Sequence, residues 1–241
     1  MKDTRDVLWE ARTREEFPPL AAQGAVVIVP IGSTEQHGLH LPVGVDSRTA
    51  EHAALTAARL ATVPVLVTPT IWAAISPHHM EFAGTITLRL HTLNQMITDV
   101  CASIVAHGFE RILIVNGHGG NRNALGAITL ELRHTMGRQI RTVSWFDLTQ
   151  DVLDDLREGP GADIGHAGEL ETSVMLSLAP DEVRTDRRKL VQGITDDPNR
   201  ASAAKGEAIM HAATERLAVT IADLHAGSGR EIVGIEMAPE D

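Results

Sequence analysis

Residues 26–48 run VVIVPIGSTEQHGLHLPVGVDSR, and two kinds of structure meet in them. The first six, VVIVPI, are apolar, mostly β-branched and without alternation, the pattern of a buried strand. The chain then enters a polar loop that delivers Glu35, His37 and Asp46 in quick succession. Glu35 and His37 are two apart, so an extended backbone points both side chains to one face. Gly32, Gly38, Gly44 and Pro42 bend the chain between them. A carboxylate, an imidazole and a second carboxylate just beyond a central strand make most of a metal site. The plainer reading is a loop of ordinary polar turn residues, and the later segments are what argue against it.

Outward from this stretch, strands and helices alternate. Residues 4–17 read as a short amphipathic helix and 25–31 as the first core strand. An alanine-rich helix is expected over 47–62, a second buried strand (VPVLVTPTIW) over 63–72, and an edge strand or hairpin arm over 82–90. A helix follows at 92–107, with Thr92 as its N-cap and Gly108 at its end. RILIVNG, 111–117, is the third buried strand, followed by a glycine-rich turn and a helix over 121–136. QIRTVSWF, 139–146, is the fourth strand, and an acidic loop covers 147–165. A helix begins near Ala167 and ends before Pro180, a turn-rich segment covers 180–198, and a long helix covers 199–224. This alternation predicts an α/β fold, a mostly parallel sheet with helices on both faces, formed as a single domain over 1–241. In such sheets sites form at the carboxyl ends of the strands, where the Glu35–Asp46 loop lies.

Two more polar segments fall at comparable places. NGHGGN, Asn116 to Asn121, lies between the strand ILIV and a helix. Its glycines permit unusual backbone angles and Asn121 can cap the helix, which holds His118 at the strand tip. A glycine-rich turn at a helix start can also cradle a phosphate, but neither GxGxxG nor GK[ST] is present. HAGELETS, His166 to Ser173, places His166, Glu169 and Glu171 at a helix start. A carboxylate there often only compensates the helix dipole, which suits Glu169. Glu171, inside the apolar run LETSVMLSL, would cost energy against the core without a partner. Two divalent ions carry four positive charges. Glu35, Asp46 and one of Glu169 or Glu171 supply three negative ones, and a hydroxide the fourth. His37 and His118 add neutral nitrogen ligands, and Asp46 is the natural bridge between the ions.

Composition narrows the classes. With 241 residues, 43% hydrophobic and 22% charged, the chain can bury a sizeable core. A net charge of −11 argues against a nucleic-acid or anionic-membrane surface. One cysteine, Cys101, allows no disulfide framework within the chain and fits a reducing cytoplasm. The opening MKDTRDVLWEARTREEF is charged throughout and has the character of neither a signal peptide nor a membrane span. Twelve histidines are many for this length; those clustered in polar loops point to metal chemistry, and others are ordinary surface residues.

GSTEQHGLHLPVGVD, SPHHMEFAGTITL, NGHGGN, HAGELETS and DDPNRASAAKGEAI, in that order, together resemble the creatininase family of metal-dependent amidohydrolases. The resemblance runs over nearly the whole chain. It implies a three-layer α/β/α sandwich, commonly a homohexamer, with two divalent ions such as Zn, Mn or Fe. Its ligand pattern maps onto Glu35, His37, Asp46 and His118. The family's creatinine-hydrolysing branch carries NGHYEN in place of NGHGGN and uses that glutamate as a ligand. Gly119 and Gly120 stand here instead, which is closer to the branches that hydrolyse a formamide or trim a precursor peptide. The missing carboxylate must then come from elsewhere, and Glu171 is the choice. It lies about 200° around a helix from Glu169, at ~3.6 residues per turn, so the two cannot both face the ions. The resemblance further implies His166 as a catalytic proton shuttle, beside Glu171, and Ser76, His79, Gly119 and Gly120 on the substrate side. The expected activity is hydrolysis of a C–N amide bond in a small amide, cyclic amide or formamide, by a metal-activated water. Trimming of a short peptide, or a non-catalytic metal- or nucleotide-binding subunit on the same fold, are the alternatives.

Overall fold

A computed structural model of the chain describes residues 3–161 and 163–227. Its centre is a four-stranded parallel sheet in the order β2-β1-β3-β4, formed by β1 (Val26–Ile31), β2 (Val65–Val67), β3 (Arg111–Asn116) and β4 (Gln139–Ser144). β1 and β3 pair over their full length, from Val26 with Arg111 to Ile31 with Asn116. Both central strands therefore end at the same level.

The alternation of side chains along each strand builds the layers. Val26 and Ile28 of β1, with Leu113 and Val115 of β3, face one core. That core is closed by α2 (Val45–Leu60), α6 (Glu169–Leu178) and α7 (Ala203–His225). Val27, Val29 and Ile31, with Ile112 and Ile114, face the other, closed by α3 (Leu90–Ala106) and α4 (Arg122–Met136). The result is the three-layer α/β/α sandwich. Each fully buried isoleucine or leucine contributes about 2 kcal/mol of apolar transfer. The remaining helices among the described residues are short: α1 (Phe17–Ala22) and α5 (Gln150–Leu156).

Several expectations are corrected. Residues 4–17 do not form one helix but three 3-10 turns, at Thr4–Asp6, Trp9–Ala11 and Arg14–Glu16. Pro18 and Pro19 in the first turn of α1 have no N–H to give to Arg14 and Glu15, so α1 cannot extend backwards into this segment. The segment is instead captured by the sheet: Leu8 bridges Val67, and Val67 N–H donates to the Val7 carbonyl at 2.7 Å. The strand expected over 63–72 shrinks to Val65–Val67, between Pro64 and Pro69. Residues 82–90 form no strand; isolated bridges, Thr34 with Ile86 and Ala74 with Thr87, and the Thr85 and Thr87 hydroxyls, which accept the Gln36 and Ser76 N–H groups, hold the segment. Thr92 does not cap its helix, which starts at Leu90 behind Arg89. The loop expected over 147–165 contains α5, and β4 ends at Ser144.

Candidate metal centre and active site

β1 and β3 release their chains side by side, and the two loops are packed together by backbone contact. A Cβ on Gly117 would overlap the Asp46 carbonyl, and one on Gly32 would overlap the Ser47 backbone. Neither glycine has positive φ, so both serve close approach rather than an unusual backbone angle. α2 thus begins directly against the strand tips, with Asp46 in its first turn, buried and facing inward. Asn121 stands at the start of α4 but makes no cap. Its side chain donates to the Gly32 carbonyl and to Asn116 Oδ1, both at 3.1 Å, and accepts from Ile75 N–H, so it laces three loops together.

Two donor clusters share Asp46. On one side His118 Nδ1 lies 3.1 Å from Asp46 Oδ2 and 3.3 Å from Glu35 Oε1. On the other His37 Nε2 lies 3.1 Å from Asp46 Oδ1 and 3.5 Å from Glu171 Oε2. The imidazole tautomers follow from the backbone. His37 Nδ1 is 3.0 Å from the Glu35 carbonyl and His118 Nε2 is 3.0 Å from the Ile75 carbonyl. A carbonyl only accepts, so each of those nitrogens carries the proton and the other turns its lone pair into the site. His37 Nε2 and Asp46 Oδ2 are buried and make no hydrogen bond despite these short approaches. Lone pairs converging without a proton between them are what a cation would satisfy.

In the absence of a cation, protons take that place. Burial drives the His118 imidazole down, but the Asp46 and Glu35 carboxylates beside it prevail and lift it to about 10. Burial likewise opposes the His37 charge, and Glu171 and Asp46 hold its pKa well above the usual histidine range. Burial raises the Asp46 and Glu35 carboxyls, yet the imidazoles around them leave both below the ordinary carboxylate range.

Glu169 and Glu171 part company. Glu171 lines the cavity and accepts the Ala167 N–H at 2.5 Å. Glu169 turns away, to Lys205 Nζ at 2.6 Å and the backbone N–H groups of Glu158 and Gly159 at 3.0 and 2.8 Å. The helix-dipole role expected for Glu169 is replaced by a direct partner, a lysine 36 positions on. His166 Nδ1 stands 3.4 Å from Glu35 Oε1, and its ring stacks on His79 at 4.3 Å. Burial and the nearby His37 charge depress the His166 pKa, and burial with His166 brings His79 to about 4. Ser76 corrects the substrate-side expectation. It is fully buried, donates to Glu35 Oε2 at 2.5 Å, and stands behind that carboxylate rather than in the cavity.

The cavity over the two clusters has a volume of about 360 Å³, with His79, Gly119, Gly120 and His166 in its wall. A Cβ on Gly120 would run into the His118 ring, so this glycine is required by the orientation of His118. Gly119 has nothing within 4 Å on its Cβ side and leaves that wall low. Residues missed at the sequence level include His78, which groups with Glu35 and His118 within metal-ligand reach, and Gln36, whose side chain approaches His79 Nδ1 at 3.1 Å and His166 Nε2 at 3.0 Å. Gln36 sits inside the EQH triplet, and that position between two candidate ligands was the available signal.

Comparison with known proteins agrees with this geometry. The creatininase family, described as creatinine amidohydrolase, matches residues 10–221. The chain belongs to the creatininase family. It is 34% identical over 210 residues to a mycofactocin precursor peptide peptidase from Mycolicibacterium smegmatis, covering 76% of this chain and 79% of that one. It is 31% identical over 201 residues to a creatinine amidohydrolase from Pseudomonas putida, covering 74% of each. A creatininase crystal structure superposes with a TM-score of 0.79 at 27% identity, covering 90% of this chain and 97% of the other. A manganese form superposes at 0.75 with 29% identity, covering 90% and 98%. The chain is accordingly a metal-dependent hydrolase of the amidohydrolase type.

Proposed function

We propose that the protein hydrolyses a C–N amide bond at a centre of two divalent ions. One would be held by Glu35, Asp46 and His118, the other by His37, Asp46 and Glu171. The observation that carries this reading is Asp46, which turns one carboxylate oxygen to each histidine at 3.1 Å. Bound there, Zn, Mn or Fe would polarise the amide carbonyl and lower the pKa of a water molecule. The chain's own contribution is placement and proton transfer. Ser76 holds Glu35 from behind, and the Glu35 and Ile75 carbonyls hold the two imidazoles in their ligand tautomers. His166 Nε2–H donates to the Gln36 carbonyl at 2.8 Å, which leaves the Nδ1 lone pair, on the cavity side, to take the proton that the attacking water gives up and pass it to the leaving nitrogen. His79, Gly119 and Gly120 shape the substrate side of the cavity.

A small amide, cyclic amide or formamide fits the cavity. Trimming of a short peptide is the second reading. It is favoured by the low wall at Gly119 and by the similarity to the mycofactocin precursor peptidase. A screen of metal-loaded protein against lactams, formamides and short peptides separates them, with turnover of one class and not the others as the deciding result. Asp46→Ala is expected to abolish turnover and to strip metal, measured by elemental analysis of protein purified without chelator. Retention of both ions in that variant would remove Asp46 as the bridge. A homo-oligomer, a hexamer by family resemblance, and a cytoplasmic location belong to the same reading. The latter is supported by the chain's single cysteine, Cys101, which leaves no disulfide to be formed within the chain.

A further inference from the structure

The turn 165–169 carries His166 at its start and leads into α6, where Glu171 lies in the first turn. By itself this turn is a poor structure. Gly165 has φ +79° and Ala167 has φ +51°, a left-handed conformation that an alanine rarely adopts. Groups outside the turn hold it: Glu171 and Thr172 of α6 bond the Ala167 N–H and carbonyl, and the short segment 193–196 lies against Gly165, His166, Gly168 and Glu169.

Thr195 pairs with His166 on both backbone groups: its N–H donates to the His166 carbonyl at 3.0 Å, and its hydroxyl accepts the His166 N–H at 2.8 Å. The same hydroxyl donates to Asp196 Oδ2 at 3.0 Å. Asp196, 4% exposed, accepts the Glu169 N–H on Oδ1 at 2.5 Å, and a Cβ on Gly168 would overlap its carboxylate. One hydrogen-bonded chain therefore runs from the His166 N–H through the Thr195 hydroxyl and the Asp196 carboxylate to the Glu169 N–H. The residue at the start of α6, Gly168, has no side chain to cap the helix, and Asp196 supplies the cap from 27 positions away. Gly193, in the same segment, lies against the Gln36 amide.

We propose that Thr195 and Asp196 are a positioning pair that sets the aim of His166 and of Glu171 together, so that the proton carrier and one metal ligand are placed by a single clamp. The proposal rests on Glu171 being a ligand of one ion, and it concerns residues that touch neither metal nor substrate. Partners that orient ligands typically alter metal affinity by about 10–100-fold when removed.

Cobalt(II) titration of the metal-free full chain, followed by its visible absorption, tests it alongside thermal melting. Wild type is expected to take up two ions and Glu171→Gln one. Thr195→Val removes the hydroxyl, and Asp196→Asn removes one arm of the carboxylate while keeping an acceptor for Glu169. Both are expected to weaken, by about tenfold or more, the ion that Glu171→Gln loses, and to change its absorption bands. Thr195→Ser is expected to restore both to within about twofold of wild type, since it returns the hydroxyl. If wild type and Glu171→Gln take up the same number of ions, the ligand assignment itself falls. If they differ as expected while Thr195→Val and Asp196→Asn match wild type in affinity and spectrum, the clamp is wrong. Equal weakening of both ions with a lowered melting temperature would also overturn it, as general loosening of the fold.

Discussion

Glu169 and Glu171 are two positions apart on one helix and are buried for opposite reasons. Glu169 sits against Lys205 and two backbone N–H groups, a fully partnered charge in which each lost hydrogen bond matters. Glu169→Gln keeps the acceptor but abandons the lysine. It is expected to lower stability by about 2 kcal/mol in denaturant unfolding while both ions remain. Glu171→Gln is expected to do the reverse at the metal centre, with one ion lost. If elemental analysis shows Glu169→Gln short of metal and Glu171→Gln replete, the two roles are exchanged. His118 gives a pH dependence with a definite sign. Its pKa rises on folding, to about 10 in the metal-free protein. The charged imidazole therefore stabilises that form fully below the unfolded value near 6.5, and the contribution is lost as pH rises through 10. Melting temperatures of chelator-treated protein are expected to fall between pH 7 and pH 10. Those of the zinc-loaded protein should not follow, because a ligated imidazole carries no such proton. A flat metal-free profile over that range would contradict the placement of His118 between two carboxylates.

At the scale of elements, the centre depends on how closely α2 approaches the sheet. Gly117→Ala places a methyl group on the Asp46 carbonyl. Backbone has to move, so a loss of about 1–3 kcal/mol is expected from overpacking, with reduced metal content because Asp46 moves too. Gly119→Ala is the control, since nothing lies within 4 Å of its new methyl, and equal losses in the two would remove close packing as the explanation. The sequence was readable where structure is local or deeply buried. VVIVPI and RILIVN are strands because a sheet covered on both faces favours unbroken apolar runs. Residues 4–17 and 82–90 depart from their local pattern because partners elsewhere decide their structure: the edge of β2 takes Leu8, and bridges to Thr34 and Ala74 with hydrogen bonds from Gln36 and Ser76 hold the second segment. Glu35, His37, Asp46 and His118 were visible as chemistry in loops at strand ends. Thr195 and Asp196 were not, because their partners lie 27 to 29 positions away and neither residue type marks a site. Ser76 was visible, yet only coordinates show that it faces the back of Glu35.

On the whole molecule, the acidic charge and the apolar surface pull in different directions. A net charge of −11 keeps copies of the chain apart in general. Yet Leu39, Val43, Trp72 and Ile86 are 38–57% exposed on one pair of loops. Those loops are tied to each other through Thr34, whose carbonyl accepts the Ile86 N–H at 2.9 Å and whose hydroxyl donates to the Trp72 carbonyl at 3.0 Å. A large ring such as Trp72, more than half exposed beside other apolar side chains, is costly to leave in water and is a common anchor where subunits meet. A homo-oligomer, expected from the family resemblance, would cover it. The same loops carry Gln36, His37 and His79, so association would also steady the walls of the cavity. Light scattering on the wild type is therefore expected to give a mass several times 25.9 kDa at micromolar concentration. Trp72→Glu, which adds a charge without touching the core, should shift that mass downward and leave far-UV circular dichroism unchanged. Metal content should fall less than oligomer mass, since the proposed ligands all come from one chain. A wild-type mass of 25.9 kDa would dismiss the oligomer. An intact oligomer in Trp72→Glu would move its interface to another face.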